Sequence, residues 1–246
     1  MTYNVEKILD IPVDIMTMTD IVSDIDTYMT EQKKMTLTSV NPQIILMAES
    51  NQAVRRYIEN STHRFPDGIG LVKVSNWTKG KIEERVAGID VMMEVLRYAN
   101  THKKSVFLYG ARPQVVSLAA KRIEQEFPDL VMAGYVDGYT TKKDEEIVAE
   151  INDKQVDIVF VALGSPKQEL WLETNIPLMT ATVFQTVGGS LDVISGTVKR
   201  APDVFIKTNL EWLYRSCSNP KRLNRMFQLP VFVAKSLVWE KKNRKQ

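Results

Sequence analysis

The chain has 246 residues, 44% of them hydrophobic, with 32 lysines and arginines against 30 aspartates and glutamates. That apolar content is ordinary for a folded globular protein and excludes a disordered one. A single cysteine, Cys217, excludes an internal disulfide, and the first residues lack the basic-then-apolar layout of a secretory leader, so a reducing cytoplasm is the expected setting.

Along the chain, short β-branched runs alternate with amphipathic stretches. Ile8–Ile15 reads as a strand, Thr19–Glu31 as a helix, Met35–Val40 as a strand and Pro42–Asn51 as a helix. Ile89–His102 and Pro113–Phe127 read as helices around a strand at Ser105–Gly110. The strand Leu130–Val136, the helix Lys142–Asp153, the strand Val156–Leu163, the helix Lys167–Thr174 and the strand Thr182–Val187 follow. Pro42 and Pro113 stand where a first helical turn tolerates proline. Such alternation predicts an α/β fold, a mostly parallel sheet with helices on both faces.

After Gly196 the strand pattern stops and only helical patterns remain, with Asp203 and Asn219 as candidate caps. The expected organisation is a body over 1–195 and a helical appendage over 196–246. Charge divides the same way. From Ser195 onward there are 12 basic and 3 acidic residues, leaving 20 basic and 27 acidic in the preceding 194. Within the basic part, Met226–Trp239 is apolar and aromatic and is followed by Glu-Lys-Lys-Asn-Arg-Lys. Cations beside apolar side chains suit an anionic membrane surface, so 226–246 is expected to lie on one. Pro230 and Lys235 interrupt the run, which is shorter than the ~20 residues a spanning helix needs.

In open α/β sheets the loops beyond the carboxyl ends of the strands hold ligands. Phe65-Pro-Asp-Gly-Ile-Gly70 sets Asp67 between a proline and two glycines, which fits either an aimed general base or a turn carboxylate. Its Gly-x-Gly follows no clear strand–turn–helix context and is no dinucleotide fingerprint. Gly164-Ser-Pro-Lys-Gln-Glu169 follows the most strand-like run and opens a helix, where free N–H groups suit an anion and Gln168 suits a hydroxyl; a simple capped turn explains it equally. Gly188-Gly-Ser-Leu-Asp192 suits close approach to a phosphate or tight packing. Asn41, before Pro42, reads as a helix cap. Arg215, Arg222 and Arg225 are spaced to share one helical side and could clamp a diphosphate or form a solvated surface. Asp24-Ile-Asp26 falls in a helical pattern and is expected to face solvent. The two histidines, His63 and His102, have no metal-ligand spacing, so neither a metal nor a cofactor is expected.

Together these loops resemble the WecG/TagA/CpsF glycosyltransferases. The resemblance rests on Asp67-Gly-Ile-Gly, Arg85-Val-Ala-Gly-Ile-Asp90, Gly164-Ser-Pro-Lys-Gln-Glu, Gly188-Gly-Ser-Leu-Asp, Lys199-Arg-Ala-Pro202 and Leu210-Glu-Trp-Leu-Tyr-Arg215, in that order. It implies a Rossmann-like fold and an inverting, metal-independent transfer of N-acetylmannosamine from a UDP-sugar donor to polyprenyl-diphosphate-linked N-acetylglucosamine; relatives use a uronic acid or glucose donor instead. By the same resemblance Asp67 is the catalytic base, and Asn41, Arg85 and Gln168 are pocket residues. Ser39 stands where the family usually has threonine, Tyr139 lies near the nucleotide, and Arg215, Arg222 and Arg225 close over the donor diphosphate. The appendage is then expected to complete the active site and to hold the protein at the inner face of a membrane, and self-association remains open. The alternatives, a nucleotide-dependent oxidoreductase and a nucleic-acid module, lack respectively a glycine fingerprint and free aromatics: Trp212, Phe227, Phe232 and Trp239 are embedded among aliphatic residues.

Overall fold

A computed structural model describes residues 3–202, 204–205 and 223–243. Arg215, Arg222, Asp203, Asn219 and the side chain of Arg225 lie outside the described residues.

The chain opens with a hairpin of β1 (Val5–Ile8) and β2 (Ile11–Asp14), then α1 (Met18–Glu31), β3 (Met35–Val40), α2 (Pro42–Ser50), α3 (Gln52–Asn60) and β4 (His63–Pro66). It continues through α4 (Ile69–Trp77), α5 (Gly88–Thr101), β5 (Ser105–Gly110), α6 (Pro113–Glu126), β6 (Val131–Val136) and α7 (Asp144–Asp153). β7 (Ile158–Ala162), α8 (Lys167–Asn175), β8 (Val183–Thr186), the short α9 (Ser190–Ile194) and a long α10 (Leu223–Asn243) complete the described elements. β3 to β8 form one six-stranded sheet in the order β4-β3-β8-β7-β5-β6, with every neighbouring pair parallel. The fold is α/β and Rossmann-like.

Period-two alternation assigns the strand side chains to two faces. Val106 and Leu108 of β5, with Ile158 and Phe160 of β7, pack against α1, α5 and α6 through Ile25, Val95, Val116 and Ile123. The intervening Phe107, Tyr109, Val159 and Val161 pack the other way, with Tyr57 of α3, Ile147 and Ile151 of α7, and Trp171 and Leu172 of α8. A third cluster joins the hairpin, α2, α4 and α10 through Ile11, Val13, Ile44, Ile45, Leu71 and Phe232.

Several local expectations are corrected. The run Ile8–Ile15 is not one strand. Leu9 and Asp10 take positive φ (51° and 62°) and fold it into an antiparallel hairpin outside the main sheet. Asp14 fastens that hairpin to β4, accepting from the Arg64 backbone N–H at 2.7 Å and its Nη2 at 2.7 Å. Asp24 does not face solvent. It is buried, accepting from His63 Nε2 at 3.0 Å and from the Tyr3 hydroxyl, while Asp26 is exposed. The Asp67-Gly-Ile-Gly segment does have a strand–turn–helix context, between β4 and α4. β4, α3 and α4 have no counterpart among the elements expected from sequence. β4 is only four residues and ends in proline, and the β-branched composition of α4 is overridden by its burial.

The apolar segment of the appendage has two faces. Within α10, Leu229, Phe232, Val233 and Trp239 pack into the cluster formed by the hairpin, α2 and α4. Pro230, Val231, Ala234, Leu237 and Val238 are exposed, spaced as one helical stripe, with Lys241 and Lys242 beyond them. Among the described residues no helix is long and apolar enough to cross a membrane.

Candidate active site

A cleft of about 710 Å³ runs across the carboxyl ends of the strands. Its walls are the end of β3 with the residue after it (Ser39, Asn41), the loops after β4 (Asp67, Gly68), β5 (Ala111, Arg112) and β6 (Tyr139), the loop after β7 with the start of α8 (Ser165, Lys167, Gln168), and the loop after β8 (Gly188, Gly189). Gln228 and Leu229 of α10 close one side. The structure thus brings Ser39, Asn41, Asp67, Arg85, Tyr139 and Gln168 to a single cleft.

Asp67 follows the last residue of β4, and its backbone N–H still donates to Val40 O at 2.8 Å, extending the parallel ladder by one bond. The next residue, Gly68, has φ +103°, which side-chain-bearing residues rarely adopt, so the chain turns abruptly into α4 and leaves Asp67 at the strand tip. Its Oδ2 accepts from Ser39 Oγ at 2.9 Å and from Gly88 N–H at 3.2 Å. Gly88 is the first residue of α5, so its N–H is one of the helix-start donors suited to an anionic partner. Arg85 Nε lies 3.8 Å from Asp67 Oδ1, and the Asp67 side chain remains 25% exposed. The carboxylate is therefore held from three sides and still reachable.

Gly88 is itself held from below. Gln185, fully buried in β8, donates from Nε2 to Gly88 O at 2.8 Å. Sequence reasoning missed this residue. Its signal was an amide within the short strand run Val183-Phe-Gln-Thr.

Asn41 caps α2, its Oδ1 accepting from Gln43 N–H at 3.0 Å and Ile44 N–H at 3.1 Å. Only its Nδ2 is left to serve a ligand, as a donor. Gln168 is buried in the cleft wall with both ends of its amide engaged: Nε2 donates to Glu169 Oε1 at 2.8 Å and Oε1 accepts from Gly188 N–H at 3.2 Å. Tyr139 stands at the rim, 73% exposed, on a turn in which its N–H donates to Asp137 Oδ1 at 2.8 Å. Arg112 and Lys167, which the sequence reading did not single out, add cationic side chains to the lining. Arg112 Nη2 lies 3.7 Å from Asp192 Oδ1.

A strand-end cleft with an anchored, accessible carboxylate, cationic walls and glycine-rich loops suits acid–base chemistry on a substrate carrying phosphates. Comparison with known proteins agrees. Residues 6–246 match the Glycosyl transferase WecG/TagA/CpsF family. The chain is 38% identical over 242 residues to the N-acetylglucosaminyldiphosphoundecaprenol N-acetyl-beta-D-mannosaminyltransferase of Bacillus subtilis (strain 168), covering 98% of this chain and 93% of that protein. It is 38% identical to the protein of the same name from Bacillus spizizenii, covering 93% and 89% of the two chains. It is 36% identical to that from Staphylococcus aureus (strain MW2), covering 93% and 90%. The chain belongs to the WecG/TagA/CpsF glycosyltransferase family and is a hexosyltransferase.

Proposed function

We propose that the protein is an inverting, metal-independent transferase that moves N-acetylmannosamine from its UDP derivative to undecaprenyl-diphosphate-linked N-acetylglucosamine, as in teichoic acid linkage-unit synthesis. The names of the relatives support the transferred sugar and the acceptor. The observation that carries the mechanism is the Asp67 carboxylate, anchored by Ser39 and Gly88 yet open to the cleft.

In this reading Asp67 takes the proton from the acceptor sugar hydroxyl as that oxygen bonds to the anomeric carbon. The bond from the anomeric carbon to the β-phosphate oxygen breaks, and UDP leaves with the electron pair. One displacement inverts the anomeric centre. Arg85, Arg112 and Lys167 line the cleft and offset the charge of the leaving diphosphate. Arg215, Arg222 and Arg225 add to them when the appendage closes. Asn41 donates to a substrate oxygen, and Tyr139 covers the nucleotide at the rim. The body over 1–195 supplies the chemistry and the segment 196–246 supplies closure and attachment. The exposed stripe of α10, with Lys241 and Lys242, rests on the anionic inner face of the membrane, where the polyprenyl acceptor resides.

The test is UDP release from UDP-N-acetylmannosamine and a short-chain lipid diphosphate–N-acetylglucosamine, with EDTA present. Release should need both substrates and survive EDTA. Asp67→Asn should lower kcat by about 10²–10⁴-fold while leaving UDP affinity intact, because an asparagine oxygen can still accept from Ser39 and Gly88. Near-full turnover by that variant would refute the base assignment, and release only with UDP-glucose or the uronic acid would move the donor.

A further inference from the structure

The cleft wall includes a carboxyl group that the mechanism above does not use. Glu169 is 0% exposed. Its Oε1 accepts from Ser165 Oγ at 2.8 Å and from Gln168 Nε2 at 2.8 Å. Its Oε2 is buried with no partner among the described residues. An acid is an expensive group to bury, and a purely structural acceptor here need not be one.

The contacts around Glu169 are directional. Ser165 gives its only hydroxyl hydrogen to Glu169 and accepts from Gln168 Nε2 at 3.5 Å, so what its oxygen has left for a ligand is a lone pair. The Gln168 amide has two possible orientations. An acceptor on its Nε2 side selects the one in which Oε1 faces Gly188 N–H, 3.2 Å away. Gly188 has φ +50°, and the loop that it begins adjoins the loop after β7 in the cleft wall. A single carboxyl group thereby sets what Ser165 offers and ties the loop after β7 to the loop after β8.

We propose that Glu169 is a positioning residue for the transfer reaction: it fixes the hydrogen-bond polarity of Ser165 and Gln168, and through Gln168 it holds the Gly188 loop against the donor. This rests on the glycosyl-transfer reading above for its consequence on rate, though not for its geometry. The ligand group that Ser165 then recognises is a hydrogen-bond donor, a hydroxyl or imide N–H of the UDP-sugar. Burial pushes the Glu169 carboxyl above its ordinary value of 4.5, against the opposing effect of its hydrogen bonds. The protonated acid and glutamine are isosteric, which makes Glu169→Gln the conservative probe.

Two variants and two readouts test this on the full-length protein. Glu169→Gln keeps an acceptor for Ser165 and Gln168 and should stay within about 3-fold of wild type in kcat. Glu169→Leu fills the same volume without an acceptor and should lose about 10–100-fold in kcat with little change in the acceptor KM, as loss of a group supporting the site does. Independently of turnover, amide exchange at Gly188 should quicken about 10-fold or more in Glu169→Leu and not in Glu169→Gln. Equal kcat in wild type and Glu169→Leu, or equal loss in both variants with Gly188 exchange unchanged, would overturn the proposal. If wild type released no UDP, the glycosyl-transfer reading would fall instead, and the Gly188 exchange contrast would decide the positioning role alone.

Discussion

Truncating Phe232 separates the docking of α10 from the stability of the body. Phe232 is 0% exposed and sits in the cluster with Ile44, Ile45 and Leu71. Burying a phenylalanine of about 150–250 Å² at about 25 cal/mol per Å² is worth roughly 4–6 kcal/mol, and phenylalanine-to-alanine changes in packed sites cost about 3–5 kcal/mol. Among the described residues, α10 also reaches the body through Leu229, Val233, Trp239 and the Lys235–Glu49 ion pair at 2.7 Å. An exposed pair of that kind adds about 0–1 kcal/mol. Phe232→Ala should therefore release the helix locally rather than unfold the sheet. Amide exchange across 232–243 should quicken by about two to four decades, at about 1.4 kcal/mol per decade, while β7 and β8 stay protected. UDP release should fall as well, because Gln228 and Leu229 leave the cleft wall. Unchanged exchange in α10 would refute the packing argument. Equal acceleration in β7 would show that helix and body unfold as one unit.

Other expectations are narrower. Ser236 is buried in α10 with no partner for its hydroxyl among the described residues, so Ser236→Ala should stabilise by about 1 kcal/mol, raising Tm by about 2–4 °C in a calorimetric scan. Burial lowers the His63 pKa more than the neighbouring Asp24 raises it. Its contribution to stability is then present above the unfolded value of 6.5 and is lost as pH falls through the folded value, and His63→Gln should flatten that part of the stability–pH curve. Reversing Lys241 and Lys242 to glutamate should weaken binding to anionic vesicles about 30-fold or more, at about 1 kcal/mol per lysine, and leave neutral vesicles unaffected; unchanged sedimentation would exclude these lysines from the contact.

The strands at Met35–Val40 and Ser105–Gly110 were legible to the residue, and those around 131–136, 158–162 and 183–186 to within two. Buried parallel strands need continuous β-branched and aromatic runs, and such runs stand out between amphipathic helices. β4 did not stand out. His63-Arg-Phe-Pro has no such run and is a strand because β3 offers it a ladder, with Thr38 opposite Arg64 and Val40 opposite Pro66. The hairpin was misread for a related reason: composition favours extension over Ile8–Ile15, and only the pairing of Ile8 with Ile11 reveals the turn.

Asp67, Asn41 and Gln168 stand out because they lie at or just beyond strand ends, where local composition is unusual, whereas Ser39, Arg85 and Tyr139 were named through the family resemblance. What sequence alone determined was the alternation that makes a parallel sheet, the edge of that sheet that carries the cleft, and the basic apolar segment at the end of the chain. Those are properties of neighbouring residues, set by periodicity and charge. Only the tertiary structure decided that Gln168 faces Gly188 and Glu169, that Gln185 supports Gly88 from a distant strand, and that one face of the apolar segment in α10 belongs to the body's core. Each of these joins residues far apart in the chain or selects one of two hydrogen-bond orientations, and neither choice is written in local composition.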